Sequence, residues 1–131
     1  MTNTIVMPKK LYRIVFACDE IAEVLDKTGL SKQQKDEILK IESELSIIAR
    51  QGRAFGIHLV LATQRPDAAI LNGQIRNNID TRICGRADNV LLQIILDNTD
   101  ASDKIAKSSQ GRFLTNSGKI FQAYWFDENI L

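Results

Sequence analysis

The sequence predicts an α/β fold in which a mostly parallel sheet is flanked by helices and the chain ends in a β-hairpin. Three observations carry that reading. "LYRIVFAC" and "IHLVLA" are apolar runs of strand length, rich in β-formers, with the near-continuous pattern of strands covered on both faces. Between them, apolar residues recur at spacings of three and four, the period of an amphipathic helix. Finally, "GRFLTNSGKIFQAYW" alternates on either side of Asn-Ser-Gly, the pattern of a hairpin.

The elements follow in order. Residues 1–10 read as a lead-in, and Leu11 to Cys18 form the first strand, which delivers Asp19 and Glu20 to its carboxyl end. Ligands of open α/β sheets bind at that edge. A short helix spans Ile21 to Lys27, and a loop turns at Gly29. Ser31 with Gln34 three residues on makes a capping box, and Ile38, Ile41, Leu45 and Ile48 give the helix from Ser31 to about Arg53 a core-facing stripe. Gly52 and Gly56 bracket the turn into the second strand, Ile57 to Ala62, which stops before Pro66. A loop and short helix over Asp67 to Asn78 lead to a third strand in "TRICGRA". Asp88 caps a helix through Leu96, a short helix covers Ala101 to Lys107, and the hairpin closes the chain. With no repeats and no Pro/Ser-rich linker, residues 1–131 read as one domain.

Composition sets limits on function. Of 131 residues, 44% are apolar and 25% charged, the balance of a soluble globular protein. A net charge of +1 neither selects nor excludes a nucleic-acid partner, so placement of charge must decide. Cys18 and Cys84 each lie within an apolar segment, which predicts reduced, buried thiols in a cytoplasmic protein. One histidine, His58, and two distant cysteines build no metal site. No apolar run reaches the roughly 18 residues of a membrane span, although a longer parent could be tethered to the inner face of a membrane.

The chemistry concentrates at the strand ends. An Asp-Glu pair there suits nucleotide hydrolysis: the first carboxylate serves the hydration shell of Mg²⁺, and the second orients and deprotonates the attacking water. This is the Walker B arrangement, here Asp19 and Glu20, and the plain alternative is a pair of acids at a helix N-terminus. Thr63 and Gln64 end the second strand as short polar groups placed to meet a γ-phosphate or its water.

Several segments, in order, are similar to the second half of the FtsK/SpoIIIE motor ATPases: "VFACDEIAEVL", "ARQGRAFGIHLVLATQRPDAAILNGQIRNNIDTRI", "ILDNTDASDKI", "QGRFL" and "FQAYWFDENI". The resemblance runs from about residue 11 to the C-terminus, and "GRAFGIHLVLATQRP" is its most specific part. It implies part of a RecA-like P-loop NTPase core, working with ATP and Mg²⁺ in a homo-hexameric ring that moves double-stranded DNA. By position it implies Asp19 for Mg²⁺, Glu20 for water activation and Gln64 as phosphate sensor. An arginine acting on the neighbouring subunit's phosphate is expected among Arg53, Arg65, Arg82 and Arg86, with Arg82 preferred. For DNA, the segment from Arg65 to Asn78 offers phosphate-contacting types, with Arg65, Arg76 and Asn77 foremost.

One part is missing. A phosphate loop, G-x-x-x-x-G-K-[ST], occurs nowhere, and Gly118-Lys119 lies in the hairpin turn without the flanking residues. The chain is therefore expected not to hydrolyse ATP alone, whether it is a piece of a longer ATPase or a truncated paralogue. In this ATPase class the phosphate-loop strand lies beside the second strand found here. The chain alone is expected either to close that gap by pairing its own strands differently or to dimerise through its open sheet edge or hydrophobic faces. An ATPase module of a type VII-like protein secretion motor and a non-catalytic interaction module are the alternative readings.

Overall fold

A computed structural model describes residues 12–64 and 73–124. The chain divides into two compact units, the first ending at Gln64 and the second beginning at Arg65.

The first unit is a β-α-β arrangement. Strand β1 (Ile14–Cys18) leads into helix α1 (Ile21–Leu25) and the long helix α2 (Lys32–Gln51); a 3₁₀ turn (Gly52–Phe55) then enters strand β2 (Ile57–Leu61). The strands pair in parallel, Ile14 beside Ile57 through Cys18 beside Leu61. The predicted capping box forms: the Ser31 hydroxyl accepts from the Gln34 N–H, and the Gln34 side chain accepts from the Ser31 N–H. Gly56 takes a left-handed φ of 73°, and a Cβ there would meet the Tyr12 carbonyl at 3.2 Å. Glycine therefore fits both the turn and the close approach to β1.

Three expectations need correction in this unit. The predicted stripe on α2 buries only in part: Leu45 is buried, Ile38 and Ile48 are half-buried, and Ile41 is exposed. Glu42 takes a buried place on that face and pairs with Lys27 at 2.6 Å, an acid accommodated by a partner. Strand β1 is not covered on both faces: Val15 is 63% and Phe16 48% exposed, although their side chains point to opposite faces. The helices of this unit bury Ile21, Ala22, Leu25 and Leu45 but leave β1 open. Nor do the strands re-pair among the described residues. Among the described residues β2 pairs only with β1 and has no partner on its other side. Taken as a single chain, this one-sided "HLVLAT" segment counts against self-closure of the gap.

The second unit runs through α3 (Gly73–Asn77), β3 (Ile83–Cys84), α4 (Asn89–Leu96), α5 (Ala101–Lys104), β4 (Arg112–Thr115) and β5 (Ile120–Gln122). Among the described residues parallel pairing is confined to β1 and β2, and the third strand joins the hairpin instead. The order is β3-β4-β5, antiparallel throughout, with Ile83 beside Thr115 and Phe113 beside Phe121. The latter two rings stack with centroids 5.6 Å apart. Asp88 caps α4 as predicted, accepting from the Val90 and Leu91 N–H groups. Leu92, Leu96, Ala101, Ile105 and Leu114 form the core of this unit. Cys84 packs against it, half-buried and free like Cys18, so neither thiol reaches the full burial expected.

Candidate functional site

Two backbone hydrogen bonds carry the parallel ladder beyond the ends of β1 and β2. The Ala62 N–H donates to the Cys18 carbonyl at 2.8 Å, and the Ile21 N–H donates to the Ala62 carbonyl at 2.9 Å. Asp19 and Glu20 are thus held beside Thr63 and Gln64 by the same pairing that defines the sheet.

Glu20 is the centre of the arrangement. One carboxylate oxygen, Oε1, accepts from the Thr63 hydroxyl and from the Ala22 N–H at 3.3 Å. The other, Oε2, accepts from the Gln64 backbone N–H at 2.8 Å. Glu20 is therefore the N-cap of α1 and a bridge between two strand ends. Donors on both oxygens fix the plane of a carboxylate, which is what a group that must aim at one water requires. Asp19 and the Gln64 residue are exposed, whereas Glu20 and Thr63 are half-buried. The chain turns into α1 immediately after the two acids.

The other sequence-predicted residues lie in the second unit or outside the described residues. Arg82 is tied down where it stands: its guanidinium meets Asp97 at 2.6 Å, its side chain is only 17% exposed, and its backbone N–H donates to the Asn116 side chain at 3.1 Å. Arg86 donates to the carbonyls of Ser102 and Ile105, pinning the end of α5. Arg76 donates to the Ile94 carbonyl at 2.7 Å near the C-terminal end of α4, where a cation is favoured. Asn77 is exposed on α3, and Arg53 is exposed in the 3₁₀ turn. Arg65 and Asn72 fall outside the described residues. The structure thus brings Glu20, Thr63 and Gln64 together with Asp19 beside them, and gives Arg76, Arg82 and Arg86 partners within their own unit.

Sequence reasoning missed the ion pair that supports this corner. Lys27 follows α1, Glu42 sits mid-way along α2, and their contact ties the helix capped by Glu20 to the helix that leads into β2. An acid within an apolar stripe, four residues after Ile38 and three before Leu45, is the signal that points to it.

Among the described residues no group of three or more His, Cys, Asp or Glu side chains could hold a metal ion. No helix among them is long and apolar enough to cross a membrane.

No family model matches the chain. DNA translocase FtsK of Haemophilus influenzae is 32% identical over 127 residues, covering 94% of this chain and 22% of its own length. DNA translocase FtsK 2 of Ralstonia nicotianae is 42% identical over 74 residues, or 56% of this chain and 8% of its own. The chain therefore spans less than a quarter of these relatives. Among solved structures, the monomer form of the pCW3 conjugation coupling protein TcpA with ATPγS superposes with a TM-score of 0.83 at 41% identity, over 93% of this chain and 35% of that one. The cytoplasmic domain of the Thermomonospora curvata type VII secretion ATPase EccC matches with a TM-score of 0.64 at 23% identity, over 89% of this chain and 13% of that one. That last likeness is one of fold alone.

Proposed function

We propose, from the premise that this chain belongs to the FtsK/SpoIIIE-type motors and forms part of a RecA-like motor domain, that it is the water-activating half of an ATP-driven double-stranded DNA translocase. The observation that carries this reading is the Glu20 carboxylate held by the Thr63 hydroxyl and the Gln64 N–H across adjacent strand ends.

The residues fit Mg²⁺ as a partial donor set. That ion ordinarily takes one or two carboxylates together with nucleotide phosphates, so Asp19 is a sufficient protein contribution. When bound, Mg-ATP supplies the γ-phosphoryl group and the cation that offsets its charge. The chain's own residues do the rest. Glu20 accepts the proton of the attacking water through an oxygen whose direction its donors have set. Thr63 steadies that carboxylate, and the exposed Gln64 side chain senses the state of the phosphate. Arg82 would have to release Asp97 to reach a neighbouring subunit's phosphate. DNA phosphates would meet Arg65 and Asn77, and Arg76 only at the cost of its bond to α4. The intact motor would act as a homo-hexameric ring on the cytoplasmic side of a membrane that tethers its parent. Hydrolysis requires a phosphate loop, and this sequence contains none.

The test grafts residues 12–124 in place of the corresponding segment of an FtsK-type motor and measures DNA-stimulated ATP hydrolysis. Glu20→Gln is expected to lower kcat by about 10²–10⁴ with KM nearly unchanged. Duplex affinity should fall linearly with the logarithm of salt concentration. A graft hydrolysing ATP equally well with Gln at this position would sink the assignment, and hydrolysis indifferent to DNA would move the cargo to protein.

A further inference from the structure

Glu42 occupies a position on α2 where an apolar side chain would pack without desolvating two charges, yet it is buried and paired with Lys27 at 2.6 Å. Stability alone does not account for that choice; direction does. Helix α1 has only five residues, and the burial of Ile21, Ala22 and Leu25 holds it by non-directional forces that leave so short a helix able to turn or slide. Directed bonds grip it at its two ends. At the first, Glu20 accepts from the Ala22 N–H of α1 and from the Thr63 hydroxyl and Gln64 N–H at the end of β2. At the second, Lys27 follows α1 by two residues and donates to Glu42. Lys27 stands on a defined turn: the Asp26 carboxylate accepts from the Thr28 N–H at 2.8 Å, and the Lys27 carbonyl accepts from the Leu30 N–H at 3.4 Å. Since α2 runs through the 3₁₀ turn into β2, these contacts close a circuit from Glu20 through α1, Lys27, Glu42 and α2 to the donors at the end of β2.

We propose that Lys27 is a positioning residue for Glu20: through Glu42 it fixes how α1 is turned on α2, and so the direction in which the Glu20 carboxylate meets the end of β2. This rests on the reading of Glu20 as the water-activating base and deepens it by naming what aims that base. Glu20 must serve an N–H of α1 and two donors of β2 at once, so a rotation of α1 moves one set of donors away from the other. Hydrogen bonds weaken steeply as they bend, and a small rotation suffices to loosen the carboxylate. A pair of methionines in place of Lys27 and Glu42 fills similar volume without buried charge, and keeps stability while supplying no direction. Stability and positioning therefore separate in that variant.

The test uses amide hydrogen exchange on the full 131-residue chain, without nucleotide or Mg²⁺. Three N–H groups are followed: Ala22 and Gln64, which donate to Glu20, and Ala62, which donates to the Cys18 carbonyl in the ladder. In Lys27→Met/Glu42→Met, Ala22 and Gln64 should exchange about tenfold faster relative to Ala62, while urea unfolding stays near that of the parent chain. Exchange at Ala22 and Gln64 that keeps its ratio to Ala62, whatever the stability of the variant, overturns the proposal. In the FtsK-type graft the same pair of changes should lower kcat about tenfold with KM for ATP nearly unchanged. Added to Glu20→Gln, it should cost nothing further, because the group it aims is gone. A loss of equal size in the Glu20→Gln background overturns the proposal. A graft in which Glu20→Gln itself leaves kcat intact removes the motor reading instead, and the exchange ratio still decides whether Lys27 orients Glu20.

Discussion

At the scale of single residues, Glu20 is where folding and chemistry meet. The same carboxylate caps α1 and receives the end of β2, so its orientation is set by two elements at once. Thr63→Val keeps the shape but deletes the hydroxyl that donates to Glu20. It is expected to cost about 1–2 kcal/mol in urea unfolding, the lower range for a bond to a charged group at a half-exposed site, with Thr63→Ser recovering most of it. Unchanged stability in the valine variant would show that the bond does not hold the corner. Cys84 offers a second handle. Burial, and secondarily the carboxylate of Asp88, push its thiol above the ordinary value. The unfolded thiol therefore ionises first, and the stability this group contributes is present below about pH 8.5 and drains away as pH rises through the folded value. Unfolding titrations carried upward from about pH 8.5 should show this fall, and Cys84→Ala should flatten it. A slope indifferent to that substitution would place its origin elsewhere.

Between elements, the contact that matters most for the site is the Lys27–Glu42 pair. Glu42 is 6% exposed, so Lys27→Met leaves a carboxylate buried without its cation. The loss is expected to be about 2–4 kcal/mol, moderated because the Lys27 side chain is 28% exposed. Replacing both residues by methionine should recover most of that loss, since the penalty comes from the orphaned charge. If the double variant is as unstable as the single, the pair is not what joins α1 to α2. The helix starts were largely legible in the sequence: Ser31 with Gln34, and Asp88 before an apolar run, announce N-caps through local hydrogen bonding alone. Helix ends were less so. The predicted run to Arg53 breaks at Gln51 into a 3₁₀ turn, and the last predicted helix stops at Lys104, because ends depend on what the last turn packs against.

For the whole molecule, the decisive quantity is where apolar surface goes. The second unit buries Leu92, Ile105 and Leu114 completely, whereas the first leaves Ile14, Val15, Phe16 and Val60 in water. Leu114→Ala should therefore cost about 2–5 kcal/mol, while Val60→Thr, at a site 55% exposed, should change stability by no more than about 0.5 kcal/mol. Equal losses at both positions in chemical denaturation would mean that Val60 is covered in solution. The sequence by itself determined the strand cores, the N-caps, the hairpin and the adjacency of Asp19 and Glu20, because these rest on backbone period and on bonds spanning a few residues. Only the tertiary structure decided that β3 joins the hairpin rather than a parallel sheet, that β1 stays open on both faces, and that Arg76, Arg82 and Arg86 are committed to partners far along the chain. An apolar run records a tendency to be covered, and a charged residue a need for a partner; which surface or partner meets it is settled by contacts between segments distant in sequence.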